Sequence, residues 1–141
     1  MPKKAPPAHI YVSTNLRHLA TALVGVRTWW CVEKNTPPGE LGVLYINQQG
    51  IHLVFRVIGR APRQEFICFD HGLIAADIEI VARAVTPISA QTMREHAVLR
   101  KLPALVRSFQ RKSFRLDEPF FSEILVLVAG KKKGTALAAT V

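Results

Sequence analysis

The sequence predicts a small α+β domain: a mostly antiparallel curled sheet or barrel of five to six strands, with helices packed around it. Three observations carry this expectation. Residues 41–46 (LGVLYI) and 51–58 (IHLVFRVI) are rich in β-branched and aromatic types and are separated by Asn47-Gln48-Gln49-Gly50, the pattern of an antiparallel pair. Residues 78–85 (IEIVARAV) alternate apolar positions with Glu79 and Arg83, which fits a further strand. Beyond Ser89 the apolar residues recur at helical spacing instead.

Taken in order, residues 1–8 (MPKKAPPA) hold three prolines and two lysines with little to bury, and are expected to form a disordered leader. Residues 9–13 (HIYVS) read as a first strand. Thr14 and Asn15 end it and can cap a helix, because their side-chain oxygens accept from first-turn amides. Leu16, Leu19, Ala20 and Leu23 then give one helical face, with Gly25 as its stop. Trp29 and Trp30 follow; in a strand their indoles point to opposite faces, one into the core and one to a surface or cleft. Residues 66–69 (FICF) briefly resume a strand, 70–77 (DHGLIAAD) read as a loop, and Thr86-Pro87 ends the strand before it. Ser89 caps a short helix over 90–102, which Pro103 breaks, and Leu105, Val106 and Phe109 suggest one more turn. A basic segment, 110–115, leads to a last helix that begins at Asp117, with Pro119 in its first turn, and ends at Gly130. The domain is thus expected over 9–129, with 130–141 as a flexible basic tail.

At 141 residues and 49% hydrophobic content, the chain is long enough to bury roughly 65–70% of its unfolded surface in one core. The net charge is +9, with a pI near 10.2. A charge of that sign makes nucleic acid the default partner class. Lys3, Lys4 and Lys131 to Lys133 supply five of those cations, so the body is only moderately basic. Cys31 and Cys68 lie in apolar runs without CxxC spacing, which suits buried thiols in a reducing compartment better than a disulfide. The five histidines show no metal-ligand spacing, so neither metal nor cofactor is expected. No apolar run reaches the ~20 residues that span a bilayer, and the N-terminus lacks a signal-peptide centre. The expectation is a soluble, cytoplasmic protein without membrane partners.

Four features point to binding, one of them Lys131 to Lys133, which can contact phosphates although a solvated tail explains the run too. Trp29 or Trp30 can line a pocket, although both rings would also serve a core. Ser13, Thr14 and Asn15, at a strand end, can offer donors and acceptors to a base edge, although helix capping explains them too. Phe109 and Phe114 stand among Arg107, Arg111, Lys112 and Arg115, the combination that stacking plus phosphate neutralisation requires; a solvated basic loop anchored by two core phenylalanines has the same sequence. No GxSxG, Walker loop or GxGxxG is present, and Asp117-Glu118 suits a helix start better than acid/base chemistry. No catalytic residues are predicted.

The ordered parts resemble the EVE domains of the PUA-like fold, which are similar in turn to YTH domains. The resemblance runs from the Ser13-Thr14-Asn15 strand end through Trp29-Trp30-Cys31-Val32, Asn35-Thr36-Pro37-Pro38-Gly39-Glu40 and Gly50-Ile51. It continues through Val57-Ile58-Gly59-Arg60-Ala61-Pro62, Pro87-Ile88, Leu99-Arg100-Lys101-Leu102 and Leu116-Asp117-Glu118, with Glu40 where Asp is usual. It implies a reader of a modified, methylated base, foremost in DNA and otherwise in RNA, held in an aromatic pocket. Trp29 or Trp30 would be the stacking wall, Ser13, Thr14 and Asn15 the mouth, and Phe109, Ser113 and Phe114 the opposite side. Stacking contributes about 1–3 kcal/mol per base, enough to offset the unstacking of a flipped base. A domain this small would act beside a nuclease or modifying enzyme. Two other functions share the fold: a PUA-like RNA-binding module without modification specificity, and a small ASCH-type hydrolase built on Glu33, Lys34 and Tyr45.

Overall fold

The computed structural model describes residues 8–60, 68 and 73–129. Residues 1–7 of the expected leader, most of 66–69, residues 70–72, Gly130 and the basic tail lie outside them; Ala8, expected in the disordered leader, is instead fully buried at the start of the first strand. The fold is α+β. Six strands, β1 (Ala8–Ser13), β2 (Arg27–Glu33), β3 (Leu41–Ile46), β4 (Gly50–Arg60), β5 (Leu73–Ile88) and β6 (Ser113–Leu116), form one open sheet in the order β2-β5-β4-β3-β1-β6. β1 runs parallel to β3, and every other neighbouring pair is antiparallel. Among the described residues, three short helices, α1 (Ala90–Arg94), α2 (Pro103–Val106) and α3 (Phe120–Ala129), accompany it.

The sheet carries a core on each face, which is why β3 reads as one continuous apolar run. Side chains alternate across a strand. Val43 and Tyr45 therefore join the core under the helices, with Met93, Leu102, Phe121 and Ile124. Leu44 and Ile46 join the opposite core, with Leu19, Trp30, Phe55 and Ile78. Gly42 stands opposite Phe55 in the β3–β4 register, and the Phe55 ring occupies the space a Cβ would need there.

Several expectations change. The helix expected after Asn15 is only a 3-10 turn, Arg17–Thr21. Arg17 adopts φ 51°, outside right-handed helical space, and the Arg83 guanidinium ties down the carbonyls of Leu19, Ala20 and Ala22. Residues 73–77 are strand, not loop, because they pair with β2 from Glu33↔Leu73 to Trp29↔Asp77. β5 also continues through Thr86-Pro87: the partners step from Leu53↔Arg83 to Ile51↔Ile88, so the proline sits in a bulge where no amide is required. Ser89 does cap α1, accepting from the Thr92 amide, but the helix stops at Arg94. Pro103 opens α2 instead of breaking a helix, since the first-turn amide it lacks has no intrahelical partner. The end of the basic segment, from Ser113, is strand β6, paired with β1. Finally, Cys31 and Cys68 are joined in a disulfide, their Cα atoms 5.9 Å apart. Spacing along the chain could not reveal this, because Cys31 on β2 and Cys68, outside every strand, stand 37 positions apart.

Candidate functional site

The C-terminal end of β1, the middle of β2 and the loop before β6 converge. The loop is held to β1 by Val12, whose amide donates to the Lys112 carbonyl at 2.9 Å. On β2, Trp29 and Cys31 point to one face, while Trp30 and Val32 enter the core, at 8% and 1% exposure. Between these elements lies a pocket of about 230 Å³. Tyr11, Trp29 and Trp30 form its aromatic walls, and the Cys31–Cys68 disulfide and Leu73 border it. Val12, Ser13, Arg17 and Lys112 line both this pocket and an adjoining trench of about 410 Å³, which adds Thr14, Asn47, Phe109 and Arg111. Among the described residues lining pocket and trench, none is acidic and three are cationic.

Local chemistry sets these groups in place. Asn15 Oδ1 accepts from the Arg17 amide at 3.0 Å, turning the chain so that Arg17 lies between pocket and trench. His18, one residue on, stacks on Trp29 with ring centroids 4.7 Å apart. On the other side, α2 ends in a Schellman-type turn: the Phe109 amide donates to the Ala104 carbonyl and that of Ser108 to Leu105, both at 2.9 Å. Ser108 and Phe109 take φ of 56° and 53°, left-handed values normally given to glycine. Burial offsets that strain: the Phe109 ring lies nearly parallel to Tyr45, with centroids 3.7 Å apart, and edge-on to Phe114. The turn aims residues 110–112 back towards β1.

Tyr11 is buried, and its Oη accepts from the Glu33 amide at 3.0 Å. Burial pushes its phenol up to about 12. The Glu33 carboxylate in turn accepts from Ser113 Oγ.

Of the residues expected at a site, the structure brings Ser13, Thr14, Trp29, Trp30, Phe109, Arg111 and Lys112 to pocket or trench. Both tryptophans line the pocket. The others lie elsewhere. Asn15 holds the turn from outside, Ser113 is engaged by Glu33, and Phe114 is packed in the helix-side core. Arg107 is exposed beside α2, and Arg115 faces Asp117 at 3.5 Å. Tyr11, Arg17, His18, Asn47 and the disulfide were not anticipated. Only Tyr11 left a signal, as an aromatic within an alternating strand; the others depend on contacts between distant segments. The residues of the hydrolase alternative do not converge: Tyr45 lies under Phe109 in the helix-side core, and Lys34 borders a separate pocket with Asn35 and Thr36.

No family model matches the chain, and no curated protein matches it. Among solved structures it is similar to protein Rpa0253 from Rhodopseudomonas palustris, with a TM-score of 0.63 at 12% identity over 91% of this chain and 97% of that one. It is likewise similar to protein Atu2648 from Agrobacterium tumefaciens, with a TM-score of 0.58 at 18% identity over 88% and 95%. Protein PSPTO5229 from Pseudomonas syringae gives 0.57 at 15% over 85% and 98%. At these identities the likeness shows the fold alone.

Proposed function

We propose that this chain is a non-enzymatic nucleic-acid-binding module that receives one modified base, foremost a methylated base of DNA, in the pocket walled by Tyr11, Trp29 and Trp30. One observation carries the reading: an aromatic pocket shares Val12, Ser13, Arg17 and Lys112 with an adjoining trench that adds Arg111, and no acidic side chain lines either among the described residues. That is the layout a flipped or single-stranded nucleotide needs, with a stacking surface for the base and cations for its phosphates. The pocket lies below the roughly 300–1,000 Å³ range of drug-sized sites, which suits a single ring system. The resemblance to EVE and YTH domains supports the same reading and its PUA-like assignment.

A methyl group adds only ~0.8 kcal/mol of burial, so discrimination would depend on pocket shape and on polar edges at Ser13 and Thr14. Such a module would serve a nuclease or modifying enzyme that acts on the marked strand. Among the described residues, no helix is long and apolar enough to cross a membrane.

The test is a fluorescence-polarisation titration at fixed salt with short DNA and RNA oligonucleotides, each with and without one methylated cytosine or adenine. One modified probe binds tightest, and Trp29→Ala weakens it by about 1–3 kcal/mol. Equal binding to every probe, unchanged by that substitution, would refute the reading and leave a domain that holds phosphate alone.

A further inference from the structure

We infer that Cys31 and Cys68 form a redox modification site that sets the affinity of the pocket, tight when the disulfide is closed and weak when it is reduced; this rests on the base-binding reading above. Both cysteines line the pocket. Cys31 is placed by β2, where it pairs with Ala75 and shares a face with Trp29 two residues earlier. Cys68 lies 37 positions away, outside every strand, on the connection between β4 and β5. The disulfide is thus the covalent tie between the strand that bears the tryptophan wall and Cys68, which borders the same pocket. Leu73, the first residue of β5, borders it too, so the tie, the start of β5 and the indole of Trp29 meet one cavity.

The chemistry is ordinary thiol exchange. A dithiol of the dithiothreitol or thioredoxin class attacks one sulfur of the pair through its thiolate and forms a mixed disulfide. Its second thiolate displaces that bond, so two electrons and two protons pass to the protein. Cys31 and Cys68 become thiols, and the dithiol leaves as its own disulfide. Both cysteines are half-buried rather than sealed, so a small thiolate has access. Once the bond opens, nothing covalent holds Cys68 beside Cys31. A ligand must then order Cys68 against the pocket at the moment of binding, a cost the closed disulfide has already met in the free protein.

The experiment uses the full chain, oxidised and then reduced with dithiothreitol, with free thiols counted in each state. The oligonucleotide panel described above is titrated into both, and tryptophan emission with acrylamide quenching is recorded without ligand. Reduction weakens the tightest probe at least about fivefold, reoxidation restores it, and the emission shifts in the same step. Cys31→Ser combined with Cys68→Ser binds like the reduced chain under either condition. Equal affinities in the two states, with both thiols counted free, would overturn the inference. A chain that binds no probe in either state refutes the base-binding reading by itself. In that case emission and quenching decide the redox site: a change on reduction upholds it, and no change overturns it.

Discussion

His18 lies over the indole of Trp29, 24° from parallel, and its Nε2–H donates to the Trp29 carbonyl at 2.8 Å. One side chain from the 3-10 turn therefore fixes both the ring and the backbone of the residue that lines the pocket. Pairs of stacked rings contribute about 0.5–1.5 kcal/mol beyond burial. His18→Ala is expected to weaken the tightest oligonucleotide by about three- to tenfold while the fold persists. Titration beside a thermal melt checks this; a large loss of melting temperature with intact affinity would make His18 a stability residue only.

Phosphate contacts are read through salt. Arg111→Ala and Lys112→Ala should each lower the slope of log K against log salt by about 0.7 on single strands or about 0.9 on duplex. Arg115→Ala is the comparison, because Arg115 faces Asp117 and does not line the trench. It should leave the slope unchanged.

Tyr11 makes stability sensitive to alkali. Its phenol, pushed by burial from 10.0 up to about 12, ionises in the unfolded chain before it ionises in the folded one. The associated stability is whole below pH 10 and is lost as pH rises through about 12. Across that window the loss is roughly 2–3 kcal/mol. Denaturant melts at pH 9 and pH 12 should show that loss diminished in Tyr11→Phe, which keeps the ring and lacks the titrating group.

Gly42 has no room for a methyl group. The Phe55 ring that fills the site is fully buried, so it has little freedom to withdraw. Gly42→Ala is expected to destabilise the fold by about 1–3 kcal/mol in chemical denaturation. A stability equal to the parent would mean that β3 and β4 can shift in register without cost.

Much of the sheet was legible because its signal is local. The run 41–46 and the alternation of 78–85 record which faces are buried, and each lies where a strand is found. The helical region was less legible. Pro103 marks a break when read along the chain, yet it opens α2, and the expected helix after Asn15 shrinks to one 3-10 turn. Propensity favoured a longer helix there, but Arg83 from β5 holds the carbonyls of Leu19, Ala20 and Ala22. Within the site, Trp29, Trp30, Ser13 and the Arg111-Lys112 pair were identifiable by residue type. Phe114 and Ser113 have the same types but serve the core and Glu33, a distinction set by which face of β6 each occupies.

By itself, the sequence determined an α+β domain with a mostly antiparallel sheet, a net positive charge and a pair of tryptophans on opposite faces of a strand, since composition and period-two alternation act over a few residues. The tertiary structure alone decided that β1 pairs in parallel with β3, that Arg17 and Lys112 line one trench, and that Cys31 and Cys68 are bonded. Those facts depend on segments separated by dozens of residues, which approach only when burial on both faces of the sheet offsets the entropy of closing the loops between them.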